Sequence, residues 1–323
     1  MNSEALIHAF LLIGDGYAKS LSWAEVQTWK PADGVLWLHF LNTEPEVSTW
    51  MHNQSGLDPL VADVLMSQDS RPRTTAIHDG LLIALRGVNL NPGADPEDMV
   101  SIRLWANHER IVSTRRRSLL SVGDIVQQLE TGKGPKNVAD FIVAITDRIV
   151  MRMSDTVDDL EDQMGEIEEH VLAETSNSIR NDLSNLRRTT ISLRRYLSPQ
   201  REALSRLHTD PHELFDKMHM LRMREVSDRL LRHIEDIDEV RDRASVTHEE
   251  LVSRVSEDLN KRMYVLSIVT TIFLPLGFFT GLLGINVGGI PGSDYSGAFA
   301  IFVTILIVLV TMQITFFKWR KWF

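Results

Sequence analysis

The sequence predicts an α+β domain of α/β/α character, followed by a long stalk helix that runs into a two-helix transmembrane hairpin. Three observations carry this reading. From Met263 to Ser293 there is no Asp, Glu, Lys or Arg, and after Asp294 the next charged residue is Lys318. Roughly the first 130 residues instead alternate short β-rich apolar runs with helix-like segments. Between these two regions apolar residues recur at spacings of three and four, the helical period.

Taken in chain order, Leu6 to Ile13, Val35 to Leu41, Gly80 to Asn89, Val100 to Ala106 and Arg110 to Thr114 read as strands. Pro45 to Gln54 and Leu57 to Gln68 read as helices. The turn residues Asn91-Pro92-Gly93-Ala94-Asp95-Pro96 separate two of the strands. From Val138 the pattern is helical, with Phe141, Ile145, Ile149, Val157, Leu160, Met164, Ile167 and Val171 on its apolar stripe. Breaks are expected at Leu197-Ser198-Pro199 and at Asp210-Pro211. A third helical tract then runs from His212 to Pro275 without an intervening Gly or Pro, and it enters the uncharged region without punctuation. A helix from there to about Leu282 would be on the order of 100 Å long and could not bury its stripe alone. It requires antiparallel partners from its own chain or further copies of itself.

Met263 to Leu283 and Ala298 to Phe317 are each long and apolar enough to cross the hydrocarbon core. Pro275 lies inside the first span, where a kink is expected and where neighbouring helices and hydroxyls such as Thr271 can satisfy the carbonyl it frees. Lys261 and Arg262 precede the first span, Lys318, Arg320 and Lys321 follow the second, and the connecting loop has neither Lys nor Arg. Both termini are therefore expected in the cytoplasm, with Trp319 and Trp322 as interfacial anchors. The opening residues carry Glu4 before their apolar run and lack a basic segment, so they do not read as a signal peptide. The organisation expected is an α/β domain over 1–135, a helical hairpin over 136–210, a stalk helix over 211–262, a two-span domain over 263–317 and a basic tail over 318–323. Within the two-span domain the spans are 263–283 and 298–317, joined by an outer loop over 284–297.

Composition excludes several function classes. The chain has 323 residues, no cysteine and a net charge of -10. Thiolate zinc sites, iron–sulfur clusters, disulfides and a cysteine nucleophile are ruled out. The acidic balance argues against nucleic acid as a partner and favours cations. Gly14 to Ser20 ends in Lys-Ser but has Ala18 where a phosphate loop needs glycine, so it reads as a turn. Arg115-Arg116-Arg117 reads as a solvated edge or a salt-bridge cluster, and His208, His212 and His248 as exposed helical histidines without catalytic zinc spacing. The acidic run Asp158, Asp159, Glu161, Asp162, Glu166, Glu168 and Glu169 reads first as a solvated helix face, the alternative being a surface that concentrates cations. No constellation supports an enzyme or a catalytic cofactor.

Two segments carry more. Gly281 to Gly292 is glycine-rich at the outer end of the first span, and Asn286 offers an amide at its mouth. In a symmetric oligomer that amide recurs as a ring of oxygens, a receptor for the water shell of a cation. The competing reading is a plain glycine-rich turn. On the span itself, Asn260, Met263, Leu266 or Ser267, Thr270, Leu274, Gly277 and Gly281 share one helical face. That face suits a pore without fixed charge, or alternatively helix packing through Gly277-x-x-x-Gly281. Two spans cannot enclose a pore, so conduction requires an oligomer.

The arrangement resembles the CorA family of divalent-cation transporters, in particular its zinc-transport (ZntB) branch. The residues that carry the resemblance are Tyr264-Val265-Leu266-Ser267, Thr271-Ile272-Phe273-Leu274-Pro275-Leu276, and Gly284-Ile285-Asn286 with Val287-Gly288-Gly289-Ile290-Pro291 behind it. Ser70-Arg71-Pro72-Arg73, the run from Leu85 to Trp105, and Tyr196 to Arg201 are similar as well. The resemblance implies a homopentameric funnel whose stalk helix continues into the pore-lining span. It implies that Gly284, Ile285 and Asn286 form the outer metal-selective loop and that Asn260, Met263, Leu266, Thr270, Leu274 and Gly277 face the pore. The magnesium branch has Met where Ile285 stands, and the outer loop holds a single acid, Asp294. Both departures point to Zn2+ as cargo, within a lipid bilayer that is the bacterial inner membrane. Proton coupling is implied by the resemblance alone, since none of the 11 histidines lies inside either span. The alternatives at this stage are a magnesium, cobalt or nickel channel of the same family and a membrane-tethered metal sensor or scaffold.

Overall fold

The structure is a computed structural model, and it describes residues 5–68, 71–173, 177–210, 212–285, 290, 292 and 295–320. Two compact units divide the chain, Met1–Glu249 and Glu250–Phe323.

The first unit is built on a seven-stranded sheet. Its strands are β1 (Leu6–Leu12), β2 (Ala18–Ser20), β3 (Val35–Leu41), β4 (Arg73–Ile77), β5 (Gly80–Gly87), β6 (Val100–Ala106) and β7 (Arg110–Arg115). They are ordered β2-β1-β3-β7-β6-β5-β4. Among the described strands only β3 and β7 run parallel, with Trp37 opposite Ile111 and His39 opposite Ser113. The period of two in β3 sends Leu36, Leu38 and Phe40 to one face of the sheet. There they meet Val47 and Met51 of α2 (Pro45–Asn53) and Val61, Ala62 and Leu65 of α3 (Pro59–Met66). Trp37 points to the other face and packs against Phe141 of α5 (Val138–Met151), ring centroids 4.7 Å apart and planes tilted by 58°. Helices on both faces of a mixed sheet give the α/β/α layering expected from the alternating runs.

Helix starts follow capping chemistry. Ser22 forms a capping box with Glu25 at the head of α1 (Trp23–Thr28), Asp58 Oδ1 accepts from Leu60 N at 2.8 Å, and Asn137 Oδ1 accepts from Asp140 N at 2.8 Å. In the chain, α4 (Leu120–Glu130) comes between β7 and α5, and it buries Val122, Ile125 and Leu129. Helices α6 (Ser154–Ala173), α7 (Asn177–Thr209) and α8 (Lys217–Leu283) follow, and α9 (Ala298–Trp319) closes the order.

The structure corrects the sequence-based expectation at several points. No break occurs at Leu197-Ser198-Pro199, because α7 runs through Pro199. The lost backbone bond is outweighed by anchoring on both sides, with Leu193, Leu197, Ala203 and Leu204 buried and Gln200 Oε1 accepting from Arg86 N of β5 at 2.7 Å. Strands β2 and β4 were not expected. Both are short edge strands whose side chains are largely exposed, so they lack the apolar alternation that marks a strand. Helices α1 and α4 were not expected either. The third tract starts at Lys217 rather than His212, since Asp216 Oδ1 accepts from His219 N at 2.8 Å and caps the helix there.

Candidate functional site

The candidate residues belong to the second unit. No residue in the most apolar stretch of α8 or of α9 is buried, and both helices are long and apolar enough to cross a membrane. Their partly covered positions fall on single faces. In α8 these are Ile268, Ile272, Pro275, Leu276 and Phe279, and in α9 Phe302, Leu306, Leu309, Val310 and Gln313, ending in the buried Phe317. A hydrogen bond joins the two helices, with Gln313 Nε2 donating to Thr271 O at 3.3 Å.

Asn260, Met263, Leu266, Thr270, Leu274 and Gly277 lie elsewhere on α8. At 100° per residue they span an arc of roughly 120°, centred about 170° from the covered face. All six are exposed, Met263 at 65% and Leu274 at 69%. The same arc continues down the helix as Val252, Val255 and Leu259, exposed at 50%, 41% and 55%. A Cβ placed on Gly277 or Gly281 would meet no atom within 4 Å. The small-residue pair therefore does not seat α9 within this chain.

Hydroxyl geometry gives this face its chemistry. Thr270 Oγ1 donates its proton to Leu266 O at 2.8 Å. With that proton committed to its own helix, the oxygen offers only lone pairs outward. A hydrated cation presents water hydrogens, and an acceptor-only lining suits them. Thr271 Oγ1 and Thr280 Oγ1 are bound the same way, to Ser267 O at 2.7 Å and Leu276 O at 2.8 Å.

At the outer end, Gly284 N donates to Thr280 O at 2.9 Å, and a Cβ on Gly284 would fall 2.6 Å from that oxygen. Glycine is thus required where the chain leaves α8. Ile285 is half exposed. Asn286 and Asp294 lie outside the described residues.

Several of the remaining candidates of the first unit have local partners, and His208, His212 and His248, expected exposed on helices, are half-buried, with His212 outside any helix. Lys19 pairs with Glu25 at 2.9 Å. Of the arginine triplet, Arg115 donates to Ser118 Oγ at 3.2 Å, Arg116 to Gln68 Oε1 at 3.5 Å, and Arg117 pairs with Asp98. In the acidic run Glu168 is bound by Arg243 at 2.5 Å. Burial and the charges of Asp236, Asp158 and Glu239 push Glu161 above the usual carboxylate range, partly offset by Arg243. His212 Nδ1 accepts from Leu214 N at 3.2 Å, and burial holds its pKa down. Among the described residues no three His, Asp or Glu side chains converge as a metal cage.

Sequence reasoning missed two things here. The exposed stripe begins further from the span than Asn260, at Val252. Gln313 was also passed over, although it is the one carboxamide in a span whose other polar residues are threonines.

The model of the CorA-like Mg2+ transporter protein family matches residues 32–319. The chain is 36% identical over 325 residues to the divalent cation transporter CmaX of Pseudomonas aeruginosa, covering 99% of this chain and 98% of that one. It is 36% identical over 316 residues to the zinc transport protein ZntB of Yersinia enterocolitica, covering 98% and 95% respectively. The structure of a full-length CmaX protein superposes with a TM-score of 0.88 at 36% identity, covering 100% of this chain and 99% of that one. The family is one of ion transporters, not enzymes. A sheet-based unit, one long helix and a second apolar helix, aligned over almost the whole length with these proteins, make this chain a member of the CorA-like family of metal-ion transporters.

Proposed function

We propose that the chain is a homopentameric transporter of divalent cations in the bacterial inner membrane, with zinc as its principal cargo, both termini in the cytoplasm, and a pore lined by α8. The single observation that carries this reading is the uncovered stripe of α8. It runs from Val252 to Gly281, opposite the face that α9 covers, and it is apolar beyond the first span as well as within it. An apolar stripe of that length outside the hydrocarbon core requires copies of itself, and identical stripes around an axis enclose a path. Asn260, Met263, Leu266, Thr270, Leu274 and Gly277 then face that path. The Gly284-Ile285-Asn286 loop forms its outer selectivity site, with Asp294 nearby as the loop's acid.

Zinc is favoured over magnesium by the similarity to the zinc transport protein, by Ile285 in the middle of the tripeptide and by the single acid of the outer loop. With no cysteine in the chain, the cation meets only oxygen, amide and thioether groups, which favours weak binding and passage. Large apolar side chains such as Met263 and Leu274 gate by excluding water.

The test is zinc uptake into proteoliposomes loaded with a zinc-sensitive dye, with and without an imposed pH gradient. Asn286→Ala, in a correctly assembled oligomer, is expected to reduce uptake more than about ten-fold, the effect of losing ~1.4 kcal/mol at one site. Unchanged uptake in that variant would sink the selectivity assignment, and dependence on the gradient would establish proton coupling. A monomer in detergent, at 36.7 kDa rather than about five times that mass, would favour a tethered sensor instead.

A further inference from the structure

Proline has no backbone N–H, so position 275 cannot supply the bond that the carbonyl of Thr271, four residues earlier, would otherwise accept. That carbonyl is met from the other helix, by Gln313 Nε2 at 3.3 Å. The nearby hydroxyls are engaged elsewhere, Thr271 Oγ1 with Ser267 O and Thr270 Oγ1 with Leu266 O. Within α9, Thr304, Thr311 and Thr315 likewise donate to carbonyls of their own helix, leaving Gln313 as the side chain that reaches across. Its other end is buried at a cost, because Gln313 Oε1 has no partner among the described residues. An amide kept in an apolar helix with its oxygen unsatisfied is explained by the bond its nitrogen makes.

We propose that Gln313 is a positioning residue for the conduction path. Its carboxamide replaces the backbone hydrogen bond that Pro275 removes, and so holds the turn of α8 that carries Thr270 and Leu274 on the uncovered face. The proposal rests on the conduction reading above. It adds that the setting of the pore face depends on α9 at the one place where the ladder of α8 is open, so that a helix outside the path controls the width of the path.

The experiment is a cycle of four full-length proteins, wild type, Gln313→Met, Pro275→Ala and the double variant, each read by zinc uptake and by Tm in detergent. Methionine keeps the length of the side chain and removes the donor. In the Pro275 background, Gln313→Met is expected to lower the maximal uptake rate about three- to ten-fold, the range a single intramembrane hydrogen bond commands. The zinc concentration for half-maximal rate should stay unchanged, since the outer loop is untouched. Pro275→Ala restores the backbone donor, so in that background the methionine should change neither rate nor Tm. Equal losses in both backgrounds, or no loss in either, overturn the pairing. A coupled Tm with unchanged uptake rate overturns the positioning role. If Pro275→Ala is itself inactive, the Tm cycle decides the pairing and the rate-against-concentration split of Gln313→Met decides the role. Absence of zinc uptake by the assembled wild type is a failure of the conduction reading instead, and the Tm cycle still reports on the pairing.

Discussion

The two units use the same apolar side chains to opposite ends. In the first unit Trp37, Phe40, Phe141 and Leu65 are all 0% exposed, enclosed between a sheet and its helices. In the second, Met263, Leu266, Phe273 and Leu274 are 65–69% exposed, and an arginine or carboxylate is absent for a whole span. Polar groups differ in parallel. The first unit buries His39, Ser113 and Arg103 within its core, while the threonine hydroxyls of the second are turned back onto their own helices. The difference teaches that one unit carries its own solvent-excluding surroundings, whereas the apolar helices of the other do not supply theirs within a single chain.

Truncation of one large side chain in each unit tests this contrast most strongly. Phe141→Ala should destabilise the first unit by ~3–5 kcal/mol, because it leaves a cavity against Trp37. Leu274→Ala leaves no cavity inside a single chain, so thermal unfolding should barely move while zinc flux changes. A comparable loss of stability from both variants would erase the distinction.

A smaller effect comes from pH. Ser113 Oγ donates to Leu38 O at 3.2 Å and accepts from Trp37 Nε1 at 2.9 Å, so the 2.8 Å contact with His39 Nδ1 requires the histidine to donate. Burial, with the charges of Arg115 and His8, holds His39 well below its usual pKa of 6.5. The unfolded chain therefore binds a proton near pH 6.5 that the folded chain refuses, and stability must fall as pH drops below that value. His8, His212 and His233, lowered first by burial, act in the same direction, while His52, raised by its bond to Asp63, acts in the opposite one. Melting the protein between pH 7.5 and about 5 should show the decline, and His39→Leu should flatten it. A profile identical to wild type in that variant would remove His39 from the account.

The smallest effect belongs to the exposed ion pairs. Arg206 and Glu202 lie 2.9 Å apart, but their side chains are 55% and 68% exposed. Arg206→Ala should change unfolding free energy by less than ~0.5 kcal/mol in a denaturant titration, since solvent screens such pairs. A larger loss would mean that the surface of the first unit contributes more than its core contrast implies.

Much of the architecture was legible because its signals are local. Five of the strands and the helices at Pro45 and Pro59 stand out by period and by turn residues, and the two spans by the absence of charge. The edge strands Ala18–Ser20 and Arg73–Ile77 were not legible, because an exposed edge does not need apolar alternation. Pro199 misled for the opposite reason. A local rule predicts a break there, and the burial of Leu193, Leu197 and Leu204 overrides it. In the candidate site, the face holding Thr270, Leu274 and Gly277 was legible from spacing, whereas the partner of the Thr271 carbonyl sits 42 residues away and no local pattern points to it.

By itself the sequence determined that this chain pairs a charged, mixed α/β unit with two uncharged spans, and which residues share a face of the first span. Charge depletion and helical period are properties of consecutive residues, so they survive without any knowledge of partners. Only the tertiary structure decided which face of α8 is covered by α9 and which is left open, and which side chain answers the carbonyl freed by Pro275. Those depend on contacts between segments far apart in the chain, where burial and hydrogen-bond satisfaction, rather than local preference, select the arrangement.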